Sequence, residues 1–157
     1  MRRAYKKYPG FIFLIVALSV LPGCEIDHGL DIMKSKITGD IIFLNPDKRP
    51  DYVESVRIVA AVKFPFTSLS DVVFMNTSIN LSKEKSVYEI PAPISTYQVV
   101  AAVWKKKGQA WNYTNLLGIY GFNPLNGQFE FKKVILTKSD PVAQGIDIYC
   151  DWSTLRP

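Results

Sequence analysis

From Lys36 onward, no stretch of this chain repeats its apolar residues at helical spacing, whereas several repeat them at every second position. A period of two marks strands with one buried face. Ile37, Gly39, Ile41 and Phe43 alternate with Thr38, Asp40 and Ile42, and Asn45-Pro46-Asp47 then breaks the pattern. A second strand is expected over Glu54 to Phe64, with Val56, Ile58, Ala60, Val62 and Phe64 turned inward. A weaker stretch runs from Ser70 to Leu81. Val87 to Ile90 is short and ends at Pro91 and Pro93, which mark a corner or an edge because proline donates nothing to a ladder. Thr96 to Trp104 is apolar on both faces, as in a central strand covered on both sides or a strand running between packed layers. Trp111 to Tyr120 returns from a tip at Lys107-Gly108, a turn over Asn123 to Gly127 leads to a strand from Phe129 to Leu136, and Ile146, Ile148, Cys150 and Trp152 alternate in a last strand. Seven to eight short strands with Gly, Pro and Asn between them predict an all-β, antiparallel sandwich or barrel over residues 36–157, the sandwich being preferred.

The first 23 residues read differently. Arg2, Arg3, Lys6 and Lys7 precede an apolar run from Phe11 to Leu21, and small residues follow, which is the anatomy of a secretory signal. A helix needs roughly 17 to 25 apolar residues to cross a bilayer, so this run is too short for a permanent span. These four bases also account for four of the five net positive charges of the chain. Without them 15 Lys and Arg face 14 Asp and Glu, so the rest is close to neutral. The remaining basic cluster, Lys105 to Lys107, fits a solvated hairpin tip, and nucleic acid is excluded as a partner.

Leu21-Pro22-Gly23-Cys24 resembles the lipobox of bacterial lipoproteins, with Leu three residues before the Cys and a small residue just before it. That resemblance implies a diacylglyceryl group, carrying acyl chains such as palmitate, on the Cys24 sulfur, with cleavage of the signal peptide immediately before it. Two or three acyl chains anchor a protein stably where one does so marginally. Residues 24–35 are then a lipid-anchored tether. Glu25 follows the Cys where the family's inner-membrane retention signal is usually an Asp, which implies an outer-membrane destination. Glu25, Asp27 and Asp31 resemble the acidic tracts that send some lipoproteins to the cell surface.

Ile37 to Phe43, Tyr88-Glu89-Ile90 before Thr96 to Val100, and Gly145 to Ile148 resemble, in order, the opening strand, central hairpin and closing strand of the carboxypeptidase regulatory-like, or transthyretin-like, sandwich domains. The resemblance implies a fold of that kind over about residues 36 to 152, with a more general immunoglobulin-like sandwich as the alternative.

Chemistry is hard to place on these residues. His28 is the single histidine and falls in the tether, so a nucleophile-histidine arrangement is not expected. With only Cys150 beyond the lipidated Cys24, zinc ligation and a disulfide are not expected either. Asp40, Asp47 and Asp51 lie near the first turn, and Asp147 and Asp151 share an outward face, but no Asp-x-Asp-x-Asp-Gly loop is present, so they read as solvated carboxylates. No phosphate-cradling or dinucleotide motif occurs, so no cofactor is expected.

The richest feature is aromatic. Trp104, Trp111, Tyr113, Tyr120 and Phe122 surround the Lys105 to Gln109 tip and its return strand. They serve either as core and cross-strand packing or as a surface for a ligand or partner. The expectation is a non-enzymatic, lipid-anchored binding or accessory module of the envelope that takes a protein partner. Carbohydrate binding by exposed Trp and Tyr is the alternative. A flat aromatic platform beside Asn, Gln or Asp suits a sugar, and a broad apolar patch suits a protein.

Overall fold

A computed structural model describes residues 35–65, 71–74, 78–112, 114–130 and 132–155. The expected signal peptide, Cys24, nearly all of the expected tether and Tyr113 lie outside the described residues. The chain is all-β. In order the strands are β1 (Lys36–Leu44), β2 (Val53–Ala61), β3 (Val72–Phe74), β4 (Lys85–Pro91), β5 (Thr96–Tyr97), β6 (Val99–Lys106), β7 (Leu116–Ile119), β8 (Phe122–Asn123), β9 (Gln128–Phe129), β10 (Val134–Ile135), β11 (Val142–Ala143) and β12 (Ile148–Asp151). Single 3-10 turns lie at Pro46–Lys48 and Trp152–Thr154.

Two larger sheets carry the structure. In the first, β1 lies between β4 on one side and β11 and β12 on the other. In the second, the order is β3-β2-β6-β7, every ladder antiparallel. Their facing side chains form one core. Ile37, Ile41 and Phe43 of β1, Tyr88 and Ile90 of β4, and Ile148 and Cys150 of β12 meet Val56, Ile58 and Ala60 of β2 and Val100 and Ala102 of β6. Trp152 closes one end of this core, stacked on Phe43 with ring centroids 5.2 Å apart.

Two features depart from the antiparallel expectation. β1 pairs in parallel with β11 (Lys36↔Val142) and with β12 (Ile41↔Ile148 to Leu44↔Asp151), so the first sheet is mixed. The stretch from Tyr88 to Val100, expected as a hairpin, divides between the two sheets, because β4 pairs with β1 whereas β6 pairs with β2 and β7. Pro91 and Pro93 are the physical reason. Neither has an N–H to continue a ladder, and the chain turns a corner there that Tyr97 fixes by donating its hydroxyl hydrogen to the Pro93 carbonyl at 2.7 Å.

β6 has the predicted two-sided burial, with Val99 to Val103 all buried. Val100 and Ala102 face the main core. Val99, Ala101 and Val103 join Val59, Ala61 and Val72 in a second apolar cluster on the opposite face of the same sheet, with Trp111, Leu116 and Ile119 packed against it. β2 is therefore buried on both faces along its second half, more than its alternation suggested.

Several expected strands are shorter or divided. The stretch from Trp111 to Tyr120 contributes only β7, because Asn112 folds the chain back by accepting from both the backbone N–H and the hydroxyl of Thr114. The stretch from Phe129 to Leu136 gives β9 and β10, which pair with β8 and β5 respectively.

Candidate functional site

The turn expected over Asn123 to Gly127 builds a concave surface. β7 ends at Ile119, and the chain reverses through Tyr120 and Gly121 into β8, which pairs with β9 across the turn. Side chains hold that turn: the Asn123 amide oxygen accepts from the Leu125 N–H at 3.0 Å, and the Asn126 amide both accepts from the Gln128 N–H and donates to the Gln128 side chain. Gly121 has φ +93°, and a Cβ there would stand 2.0 Å from the Glu130 carbonyl, so only glycine lets the two strands close, with Glu130 N–H donating to the Gly121 carbonyl at 2.8 Å.

This hairpin faces the outer surface of β12. Together they enclose a cleft of about 580 Å³, within the range of small-molecule sites. Its lining sorts by chemistry. Tyr120, Phe122, Phe129 and Tyr149 supply rings, Asn123, Asn126 and Gln128 supply amides, and Glu130, Asp147 and Lys132 supply charge. Phe122 and Phe129 pack at a tilt with centroids 6.3 Å apart, yet Phe129 stays 55% exposed. Asp147 is fixed from behind, its carboxylate accepting from the Asp40 N–H at 2.9 Å. Lys132 lies 3.0 Å from Glu130, and that hydrogen bond raises the ammonium's pKa above its ordinary value. The cleft thus offers ring faces beside donors and acceptors, in the part of the fold where the strands are shortest.

The structure separates the aromatic residues singled out in the sequence. Tyr120 lines the cleft. Trp104 is half-buried against the main core and packs on Tyr52, centroids 5.6 Å apart. Trp111 is half-buried against the second apolar cluster, and the Arg57 guanidinium lies 4.7 Å from its ring centre. Both indoles are engaged in packing, and neither lines the cleft. At the basic tip, Lys105 pairs with Glu54 at 2.7 Å and thereby holds the Glu54 carboxyl below its ordinary value. Tyr113 and Cys24 lie outside the described residues.

Sequence reasoning missed Asn123, Asn126, Gln128, Glu130, Lys132 and Tyr149 as neighbours of Tyr120. Asn123-Pro124-Leu125-Asn126-Gly127 carried a turn signal, and the alternation about Ile148 placed Asp147 and Tyr149 outward. Nothing local shows that these two surfaces meet.

Cys150, expected as a core residue, is a free thiol in the main core, and burial pushes its pKa far above the ordinary thiol value. Among the described residues no group of three His, Cys, Asp or Glu is placed to hold a metal ion, and no helix is long and apolar enough to cross a membrane. No protein-family model, curated protein or solved structure matches this chain.

Proposed function

We propose that this chain is a lipid-anchored, non-enzymatic binding module of the bacterial envelope that takes carbohydrate in the cleft between the β8–β9 hairpin and β12. One observation carries the choice of ligand: tyrosine and phenylalanine rings line the cleft together with three side-chain amides and two carboxylates. Ring faces stack on the apolar faces of sugars, while amides and carboxylates serve the hydroxyls at their edges. The alternative of a protein partner docking on Trp104 and Trp111 has less to stand on, because Tyr52 and Arg57 already pack against those indoles. The anchor in this reading is lipid on Cys24, supported by the lipobox resemblance, with the outer membrane as its destination. The two-layer β architecture is compatible with an immunoglobulin-like or transthyretin-like sandwich.

Two measurements test the proposal. The intact mass of the chain extracted from membranes in detergent is expected to carry diacylglycerol and acyl groups on a polypeptide beginning at Cys24, and an unmodified Cys24 overturns the anchor. The same preparation, screened on immobilised envelope and extracellular polysaccharides, is expected to be retained by at least one of them. Tyr149→Ala weakens that retention on the order of tenfold or more, the loss of about 1.4 kcal/mol. Trp104→Phe leaves it unchanged. Retention by none of the polysaccharides, or retention insensitive to Tyr149→Ala, overturns the carbohydrate site.

A further inference from the structure

β4 is an edge. On one side it pairs with β1 from Lys36↔Pro91 to Ile42↔Lys85, and among the described residues no strand pairs with its other side. The phase of the ladder is fixed at both ends, where Phe43 N–H donates to the Glu84 carbonyl and Ala92 N–H donates to the Ser35 carbonyl. Even-numbered residues of β4 therefore turn their backbone groups toward β1, and Lys85, Val87 and Glu89 turn theirs away from it. The side chains of these three stand together on the solvent face, with Val87 80% exposed between two exposed charges of opposite sign.

This row is complementary to itself. When a second β4 is laid antiparallel alongside, with a two-fold axis at Val87, Val87 meets its own copy, Lys85 meets Glu89 of the other chain and Glu89 meets Lys85. Up to about six backbone hydrogen bonds form along this stretch. We infer that two copies of the chain pair through β4 in this register, so that the first sheets of both copies join into one.

The charges suit the pairing. Within one chain Lys85 lies 2.8 Å from Asp40 and Glu89 lies 2.8 Å from Lys36, so the edge is neutralised locally rather than guarded by a run of like charge. Cross-strand opposite charges and an apolar pair at the centre both favour association. Pro91, next in the outward row, lacks an N–H and limits the pairing to the segment centred on Val87. The two-fold closes the assembly, because each chain has used its β4 edge. So short a contact belongs to the small interface class, below about 1,200 Å² in total, and the dimer is a reversible one.

Disulfide trapping in the full chain in its own membranes reads the register. Val87→Cys is expected to give a covalent dimer on mild oxidation, measured against the parent chain, which carries Cys24 and Cys150. Glu89→Cys alone is expected to give at least about tenfold less. Two copies of that residue would stand about 14 Å apart at 3.4 Å per residue, beyond the roughly 7 Å that a disulfide spans between Cα atoms. Co-expressing Lys85→Cys with Glu89→Cys restores the cross-link. In the Val87→Cys background, Lys85→Glu lowers the yield. All these positions are exposed, and a circular dichroism spectrum matching the parent's confirms that each variant is folded. A Val87→Cys yield no higher than the parent's, or a Glu89→Cys yield equal to that of Val87→Cys, overturns the inference, as does failure of the co-expressed Lys85→Cys and Glu89→Cys chains to cross-link.

Discussion

Replacing Gly118 by alanine tests the packing that brings the two sheets and the cleft together. Gly118 sits in β7, opposite Ala102 of β6, and its Cα faces β12. A Cβ added there would stand 2.2 Å from the Tyr149 carbonyl oxygen, 2.9 Å from the Cys150 sulfur and 3.0 Å from a methyl carbon of Ile148. The nearest obstacle is backbone, which cannot swing aside as a side chain would. Ordinary contact begins near 3.4 Å, so the strands must separate by about 1 Å. β7 is held by β6 and β12 by β1, and neither can move without distorting a ladder. The cost is expected at the upper end of the range for overpacking, about 3 kcal/mol, which lowers the melting temperature of a domain this size by roughly 10 °C. Gly127→Ala is the internal control. A Cβ there meets nothing within 4 Å, but φ is +66°, so only the left-handed backbone penalty of about 1 kcal/mol applies. Thermal and urea unfolding of both variants beside the parent separates the two effects. If Gly118→Ala melts with the parent, or is destabilised less than Gly127→Ala, the close approach of β7 to β12 is refuted. The same approach positions Tyr149 in the cleft, so Gly118→Ala is also expected to weaken any ligand retained by the parent.

Trp152→Ala removes the ring that stacks on Phe43 at the end of the main core and is expected to cost about 3 to 5 kcal/mol in urea unfolding; a loss under about 1 kcal/mol would show that the site is not buried. Asp151 supplies an acid-side dependence. Burial works to raise its carboxyl pKa, but hydrogen bonds from Asn45 and Ser153 outweigh that and hold it below the ordinary 3.8. Its contribution is therefore complete above that value and lost as the pH falls through the lower, folded-state value. Urea midpoints measured from pH 5 to pH 2 are expected to fall less steeply in Asp151→Asn than in the parent, and equal slopes would remove Asp151 as a source of the dependence. Cys150 is buried with a raised pKa, so an alkylating reagent at pH 8 is expected to label it only at the rate of unfolding. Labelling that is fast in the absence of denaturant would place the thiol at the surface.

The strands that were legible in the sequence are those whose two faces differ. β1 alternates cleanly, and Ile37, Ile41 and Phe43 are buried as the pattern requires. β12 behaves in the same way, with Ile148 and Cys150 inside and Tyr149 and Asp151 partly exposed. The double burial of β6 was legible for the complementary reason, since a run such as Val99 to Val103 has no polar residue to spare for solvent. Pairing was not legible. Alternation reports which side of a strand is apolar, and nothing in it distinguishes a parallel neighbour from an antiparallel one. The parallel ladders of β1 with β11 and β12 join residues more than a hundred positions apart. The division between β4 and β6 was signalled by two prolines, but a proline pair marks the end of a ladder without saying which sheet the chain joins next.

The cleft escaped sequence reasoning because its residues are ordinary one by one. Trp104 and Trp111 drew attention as large rings beside a basic turn, yet a large ring next to a core is the cheapest means of filling space between layers, and each indole found a neighbour in Tyr52 or Arg57. Tyr120 and Phe122 stood out beside them, but Tyr149, which meets them in the cleft, did not, and it lies nearly thirty positions further along the chain. What brings them together is the approach of β7 to β12, made possible by the missing side chain at Gly118, and the sharp reversal at Gly121 that turns the β8–β9 hairpin toward β12. Two glycines with no chemistry of their own thus decide where the rings and amides meet. Substituting either should therefore disturb ligand retention without removing any group that contacts the ligand.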